Sequence, residues 1–180
     1  MRNEVQRLNE FTRAAPEAIR QNAPLIDFLT DKGFFRAPEC RKGTEGGLYE
    51  ESAAACSIIR RMTDGLGLEW QRPDSPFIVG MFHALWKIDR WAEIIDEHGV
   101  AFFGEEDLKG RKSHYEKAAG IIGGKGGKSV MLLSRFFTLT EEEIYCLRYY
   151  ADPPAFALRA YPNIAYLHAA ALLAGKGRDK

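Results

Sequence analysis

Apolar residues recur at helical spacing near the start of the chain. Val5, Leu8 and Phe11 lie three residues apart, and a second amphipathic segment occupies residues 16–29. A repeat of three or four residues places apolar side chains on one face of a helix. We therefore predict two docking helices, with residues 1–24 forming an N-terminal docking extension.

Three later segments combine a helical pattern with a signal for a helix end. The apolar pattern of residues 48–66 stops at glycines, which suit a helix C-terminus. Thr140 and Glu143 have the spacing of a capping box, which predicts a helix through about Tyr150 that the proline pair 153–154 terminates. An Ala- and Leu-rich helix of about residues 163–175 closes the chain.

The most apolar segment begins at Ser75 and Pro76. A hydroxyl before a first-turn proline is a typical helix start, and we predict a helix from there to about Asp96. Between residues 77 and 86 this helix is apolar on nearly every side. Such a helix is expected at the buried centre of a domain.

The predicted elements describe one all-α domain over residues 1–180. No repeat or change in composition divides the chain, and helices with one apolar face pack around a shared core. Residues 99–127 are glycine-rich and are predicted as a short irregular or hairpin insertion, with a short strand at 100–103. The expected fold is therefore a single helical bundle.

Charge and cysteine content exclude several classes of protein. The 180 residues contain 25 Lys and Arg against 25 Asp and Glu, so zero formal charge argues against a protein that coats nucleic acid, while a local basic patch stays open as an alternative. No segment has the length and apolar character of a membrane span, and the first residues lack the apolar run of a signal peptide. The three cysteines form no CxxC pair, so neither a disulfide framework nor a zinc-cysteine site is indicated. These features predict a cytoplasmic protein.

Charged side chains on the central helix are the first candidates for chemistry. His83, Lys87 and Arg90 stand at i, i+4 and i+7, so on a continuous helix they form one polar stripe that suits an anionic ligand. The alternative is that both cations reach solvent while His83 is hydrogen-bonded in the core. Glu51 is a further candidate, because its helix face carries apolar residues and a carboxylate that faces a core needs a partner. The alternative is that Glu51 lies near the solvated start of its helix, where the helix dipole favours a negative charge.

A glycine-rich run at residues 123–129 invites comparison with a phosphate-binding loop. Ile122 stands where the first glycine of that loop belongs, and the preceding segment is not predicted as a buried strand. A nucleotide triphosphatase is therefore not indicated. The glycines can still hold Lys125 and Lys128 beside an anion at a helix start, and the alternative is a flexible loop with solvated lysines.

Six short motifs are more specific together than any one of them alone. They are FFRAP at 34–38, GGLYEES at 46–52, FHALWKI at 82–88, GKGGKSV at 124–130, LTEEE at 139–143 and LRYY at 147–150. Their order and spacing over about residues 25–175 resemble a compact bacterial and phage branch of the HD-domain phosphohydrolases. The resemblance implies an all-helical domain whose His and Asp side chains hold one or two divalent metal ions, which activate water against a phosphate ester.

This sequence departs from the family pattern at the metal ligands. A single ligand residue, His83, matches, while the other family ligand positions hold Glu51, Ala84, Lys125, Tyr150 and Ala171. One imidazole cannot retain a catalytic metal ion. The resemblance therefore implies a catalytically degenerate protein for which no cofactor is expected.

The degenerate site is expected to bind a nucleotide or another phosphate-bearing ligand, because several cations remain in it. The expected ligand-binding residues are Glu51, His83, Lys87, Lys125, Lys128, Arg148, Tyr150 and His168. One alternative is a structural or protein-interaction module with a filled cavity and an exposed apolar patch that involves Trp91, Phe102 and Phe103. The other is a metal-dependent phosphohydrolase whose rewired site recruits Glu51, His83 and His168.

Overall fold

The computed structural model describes residues 2–40, 43–93, 115–117 and 124–176. Its helices are α1 (Glu4–Ala14), α2 (Glu17–Arg20), α3 (Ala23–Asp31), α4 (Gly47–Leu66), α5 (Ser75–Phe82), α6 (Gly124–Leu133), α7 (Glu141–Tyr149), α8 (Ala155–Ala160) and α9 (Asn163–Lys176). A 3-10 helix, Leu85–Lys87, follows α5, and the short strands β1 (Trp91–Glu93) and β2 (Tyr115–Lys117) pair in antiparallel orientation. The predicted all-α bundle is confirmed.

Helix α5 forms the centre of the bundle, as predicted. All of its residues are buried, and α4, α7 and α9 pack against it. Gly80 allows α4 to approach closely, since a Cβ atom there would lie 2.6 Å from the Cα of Cys56. The absence of a side chain at this crossing therefore sets the distance between the two helices.

Helix α5 ends at Phe82, so the predicted helix to Asp96 is wrong. The backbone N–H of Trp86 donates to Oγ of Ser129 at 3.0 Å instead of to a carbonyl one turn back. The hydroxyl of Ser129 in α6 thus accepts the hydrogen bond that a backbone carbonyl would accept if the helix continued. The chain proceeds as a 3-10 helix and then as β1, so the predicted polar stripe on one helix does not form. Residues 94–96 lie outside the described part of the chain.

The start of α5 also differs from the prediction. Ser75 is the first helical residue, and its hydroxyl donates to Oε1 of Glu143 at 2.8 Å instead of capping the helix. The capping box of Thr140 and Glu143 is confirmed at the start of α7. The carboxylate of Glu143 also accepts two hydrogen bonds of 2.7 Å from Arg72. A tertiary partner therefore competes with the local cap for the hydroxyl of Ser75.

Helix α1 joins the bundle through an aromatic and an arginine side chain. Phe11 is fully buried, and its ring centroid lies 5.7 Å from that of Phe35. Arg7 is also buried and donates to the backbone carbonyls of Phe35 and Glu45, at 2.9 Å each. Val5, which the pattern placed on the apolar face, is 64% exposed. The buried face of α1 is therefore set by Arg7 and Phe11 together.

Other helix boundaries agree with the sequence in part. Helix α4 ends at Leu66 and α9 begins at Asn163, as predicted, whereas α8 was not predicted. The amphipathic segment 16–29 forms two helices, because the side chain of Asn22 accepts from the N–H of Leu25 and starts α3 anew. Among the described residues, no helix combines the length and the apolar character that crossing a membrane requires.

The predicted insertion at 99–127 is corrected at its end. Residues 124–127 are not irregular but form the first turn of α6. Residues 99–114, including the predicted strand 100–103, and residues 118–123 lie outside the described part of the chain. The two short strands pair Ala92 with Glu116.

Candidate functional site

Most of the predicted site residues lie where α6 packs against the 3-10 helix. Oγ of Ser129 accepts from the N–H of Trp86 at 3.0 Å and donates to the carbonyl of His83 at 3.2 Å. Ser129 is fully buried, so these bonds fix α6 relative to the end of α5. Lys125 and Lys128, in the preceding turn of α6, are thereby placed beside residues 85–90.

One glycine of the glycine-rich run is explained by helix packing. A Cβ atom on Gly126 would overlap the carbonyl oxygens of Leu147 and Arg148 in α7. The N-terminal turn of α6 therefore lies directly against the C-terminal turn of α7. Opposite ends of helix dipoles attract one another, which favours this arrangement.

His83 is buried and neutral. Its Nδ1 lies 2.8 Å from the carbonyl of Gly80, and because a carbonyl can only accept, Nδ1 carries the proton. Burial lowers the pKa of His83, so Nε2 is a free lone pair at neutral pH. No described residue forms a hydrogen bond with Nε2. The ring stands edge-on to Tyr150, with centroids 4.9 Å apart.

Lys87 and Glu51 form a largely buried ion pair. The ammonium of Lys87 donates to both carboxylate oxygens, at 2.9 and 2.7 Å. The side chains are only 16% and 13% exposed. Glu51 thus has the partner that a carboxylate facing a core requires, and each charge neutralises the other.

Three cations surround the indole of Trp86. The side-chain charges of Lys87, Arg90 and Lys125 lie 5.8, 5.5 and 5.6 Å from its ring centroid. The ring faces attract the cations electrostatically. Trp86 is 6% exposed, and its Nε1 donates to the hydroxyl of Tyr150 at 3.0 Å. The indole therefore positions cations and is too buried to stack on a nucleotide base.

A fourth cation, Lys128, contacts Asp89 in the turn after the 3-10 helix. Lys128 is 8% exposed and Asp89 is 48% exposed. We call Lys87, Arg90, Lys125 and Lys128 the cationic cluster. These four cations and the carboxylates of Glu51 and Asp89 carry a formal excess of two positive charges. The whole chain, by contrast, has a formal net charge of zero.

The remaining predicted residues lie around Tyr150. Burial raises the pKa of Tyr150 to about 12, so its hydroxyl stays protonated. Nδ1 of His168 lies 2.6 Å from the carbonyl of Tyr150 and donates to it. Arg148 is exposed, with its guanidinium 5.6 Å from the ring centroid of Tyr149. In the described part of the chain, no contact joins the side chain of Arg148 or His168 to the cationic cluster.

The residues around His83 do not fit a divalent metal ion. Both carboxylate oxygens of Glu51 are bonded to Lys87, and Ala84 offers no ligand. Nδ1 of His168 is bonded to a backbone carbonyl. Over the described ranges, no three His, Cys, Asp or Glu side chains form a group that could hold a metal ion. We therefore derive no catalytic step through a metal.

Sequence reasoning missed Trp86 and Asp89 as site residues. Trp86 was assigned to the core because the predicted helix was apolar on nearly every side, and its burial is confirmed. Its role in gathering cations depends on α6, which is distant in sequence. For Asp89 the sequence did contain a signal. An acidic residue two positions after Lys87 does not suit a buried helix, which indicates that the helix ends earlier or that Asp89 has a charged partner.

Replacement of His83 by asparagine is expected to reduce the loss of stability in mild acid. An unfolded histidine titrates near 6.5, whereas burial lowers the pKa of His83 in the folded protein. Between the two pKa values the unfolded state binds one more proton, so the free energy of unfolding falls by up to about 1.4 kcal/mol per pH unit as the pH decreases below the unfolded value. Asparagine can still donate to the carbonyl of Gly80. Urea unfolding at pH values from about 7.5 to about 5.5 measures this, and equal pH dependence in both proteins would contradict it.

The motifs that resemble HD-domain phosphohydrolases include the residues around α5 and α6 that form this site. The structure brings Lys125 and Tyr150, which the resemblance assigns to family ligand positions, close to Trp86. The resemblance stays a prediction, because no family model, curated protein or solved structure matches the chain.

Proposed function

We propose that this protein is a catalytically degenerate relative of the HD-domain phosphohydrolases that binds a nucleotide or another phosphate-bearing ligand at the cationic cluster. The observation that supports binding is the excess of two positive charges around a buried indole. Cations held close together repel one another, and a bound anion offsets that repulsion. Phosphate oxygens also accept charge-assisted hydrogen bonds from ammonium and guanidinium groups.

The cations of the cluster differ in how they can meet a ligand. Lys125 is exposed and Arg90 is half-buried, and among the described residues neither forms an ion pair. Lys87 and Lys128 are each bonded to a carboxylate. Since Trp86 is too buried to stack on a base, the phosphate rather than the nucleobase is the recognised group.

Replacement of Lys125 by glutamine is expected to weaken phosphate binding by tenfold or more. A hydrogen bond to a charged group contributes about 1.5–3 kcal/mol, and each 1.4 kcal/mol corresponds to a factor of about ten. The measurement is titration calorimetry at fixed ionic strength with inorganic phosphate and with nucleoside mono-, di- and triphosphates.

The matched control for this substitution is Lys32→Gln. Lys32 is also exposed and lies at the end of α3. Its replacement by glutamine changes the net charge by the same amount as Lys125→Gln. Its replacement should leave the affinity unchanged. Equal loss in both variants, or no binding of any probe by the parent protein, would remove the proposed ligand site.

A protein-interaction module is the second candidate function. One observation that favours it is that charges in the cluster are already paired, as in the bond between Lys87 and Glu51. The other is that three apolar side chains on α8 and α9 are half exposed, namely Phe156, Leu172 and Leu173. Of the patch expected from the sequence, Trp91 is half-buried, and residues 102–103 lie outside the described part of the chain. Concentration-dependent sedimentation without phosphate binding would favour this candidate.

A further inference from the structure

The two carboxylates of the cationic cluster are held in different ways. Glu51 is 13% exposed, projects from the long helix α4, and places both oxygens on Lys87. Asp89 is 48% exposed, lies in a turn, and places Oδ1 on Lys128. The first carboxylate is therefore a fixed counterion, whereas the second can turn toward solvent.

Lys128 has no such freedom. Its side chain is 8% exposed, and the next residue, Ser129, is anchored by bonds to Trp86 and His83. A buried ammonium that loses its counterion pays a large desolvation penalty, whereas a half-exposed carboxylate regains hydration when it leaves. Asp89 can thus leave Lys128 only when another anion takes its place.

We propose that Asp89 occupies the phosphate position on Lys128 in the ligand-free protein and competes with the ligand for that ammonium. This inference rests on the proposed function, and it assigns Lys128 as the cation that exchanges a carboxylate for a phosphate oxygen. Asp89 acts here as a resident anion that sets the affinity of the site.

Charge also selects the class of phosphate. When Asp89 leaves, the cluster holds four cations and the single carboxylate of Glu51, which leaves three excess positive charges. A singly charged phosphodiester restores only the original excess of two. A phosphate dianion, as in inorganic phosphate or a monoester, lowers the excess to one. The site therefore favours a terminal phosphate dianion over a phosphodiester.

The substitution Asp89→Asn tests this inference, since it removes the competing charge and keeps the shape. We expect inorganic phosphate to bind about tenfold more tightly than to the parent protein, the size of one charge-assisted bond. In both proteins, dimethyl phosphate, a monoanion, is expected to bind more weakly than inorganic phosphate at about pH 8. Titration calorimetry at fixed ionic strength measures both effects.

A matched control separates local competition from a change in net charge. Asp64→Asn removes one exposed carboxylate near the other end of α4, about 20 Å from Glu51 along the helix and beyond the Debye length of about 10 Å. We expect no change in affinity for this variant. Asp89→Ser serves as a second variant, and circular dichroism establishes that each protein is folded.

The outcomes distinguish the inference from the function on which it rests. If the parent binds phosphate and neither Asp89 variant binds it more tightly, the competition is overturned while the phosphate site stands. If Asp64→Asn tightens binding as much as Asp89→Asn, net charge alone is responsible and the competition is again overturned. If neither the parent nor an Asp89 variant binds any phosphate, the proposed function itself fails.

Discussion

Replacement of Gly126 by alanine is expected to destabilise the protein by about 3 kcal/mol and to abolish the proposed phosphate binding. The added methyl group would overlap the carbonyl oxygens of Leu147 and Arg148, which belong to a packed helix end and cannot rotate away as a side chain can. Overpacking of this kind typically costs about 1–3 kcal/mol, and backbone neighbours place it at the upper end. Because α6 must move away from α7, Lys125 and Lys128 lose their positions. Urea unfolding and calorimetry with inorganic phosphate measure the two effects.

The neighbouring glycine offers a matched control with the opposite sign. Gly127 lies in the same turn of α6, and no described atom lies within 4 Å of a Cβ placed there. Alanine is a better helix former than glycine by up to about 1 kcal/mol, so Gly127→Ala should stabilise the protein and leave phosphate binding intact. Equal effects of the two substitutions would show that the close approach of α6 and α7 does not control stability.

Two helix boundaries were predictable because their signals are local. The capping box at Thr140 and the glycine after Leu66 act on residues within one turn, and the structure has a helix start and a helix end at those places. The end of α5 depends instead on Ser129, a residue 43 positions further along the chain. No periodicity of residues 75–96 contains that hydroxyl, which explains why the predicted helix was too long.

The candidate site shows the same division. The sequence predicted Glu51, Lys87 and Lys125 as site residues. In the structure, Lys87 and Lys125 lie near the ring of Trp86, and Glu51 is bonded to Lys87. The competing partners were not predictable, because Asp89 meets Lys128 only through the packing of α6 on the 3-10 helix. The resemblance indicated which residues belong to the site. It did not indicate which of their charges form ion pairs, because those pairs depend on tertiary packing.

Glutamine in place of Glu143 is expected to destabilise the fold by about 2–3 kcal/mol without a direct effect on the cationic cluster. The Glu143 carboxylate is fully buried and accepts hydrogen bonds from Arg72, from the hydroxyl of Ser75 and from the N–H of Thr140. An amide loses the charge and turns two N–H donors toward other donors. The amide leaves buried donors without an acceptor, and an unsatisfied buried donor costs about 1–3 kcal/mol.

Three further variants separate the ion pair from the general effect of charge on α7. Glu141 lies in the same first turn but is exposed, so Glu141→Gln should cost less than about 1 kcal/mol, mostly through the helix dipole. Arg72→Gln combined with Glu143→Gln should be less destabilising than the sum of the two single changes, because no buried charge is then left unpaired. Urea unfolding measures all four proteins, and additive effects would show that Glu143 stabilises the bundle without Arg72.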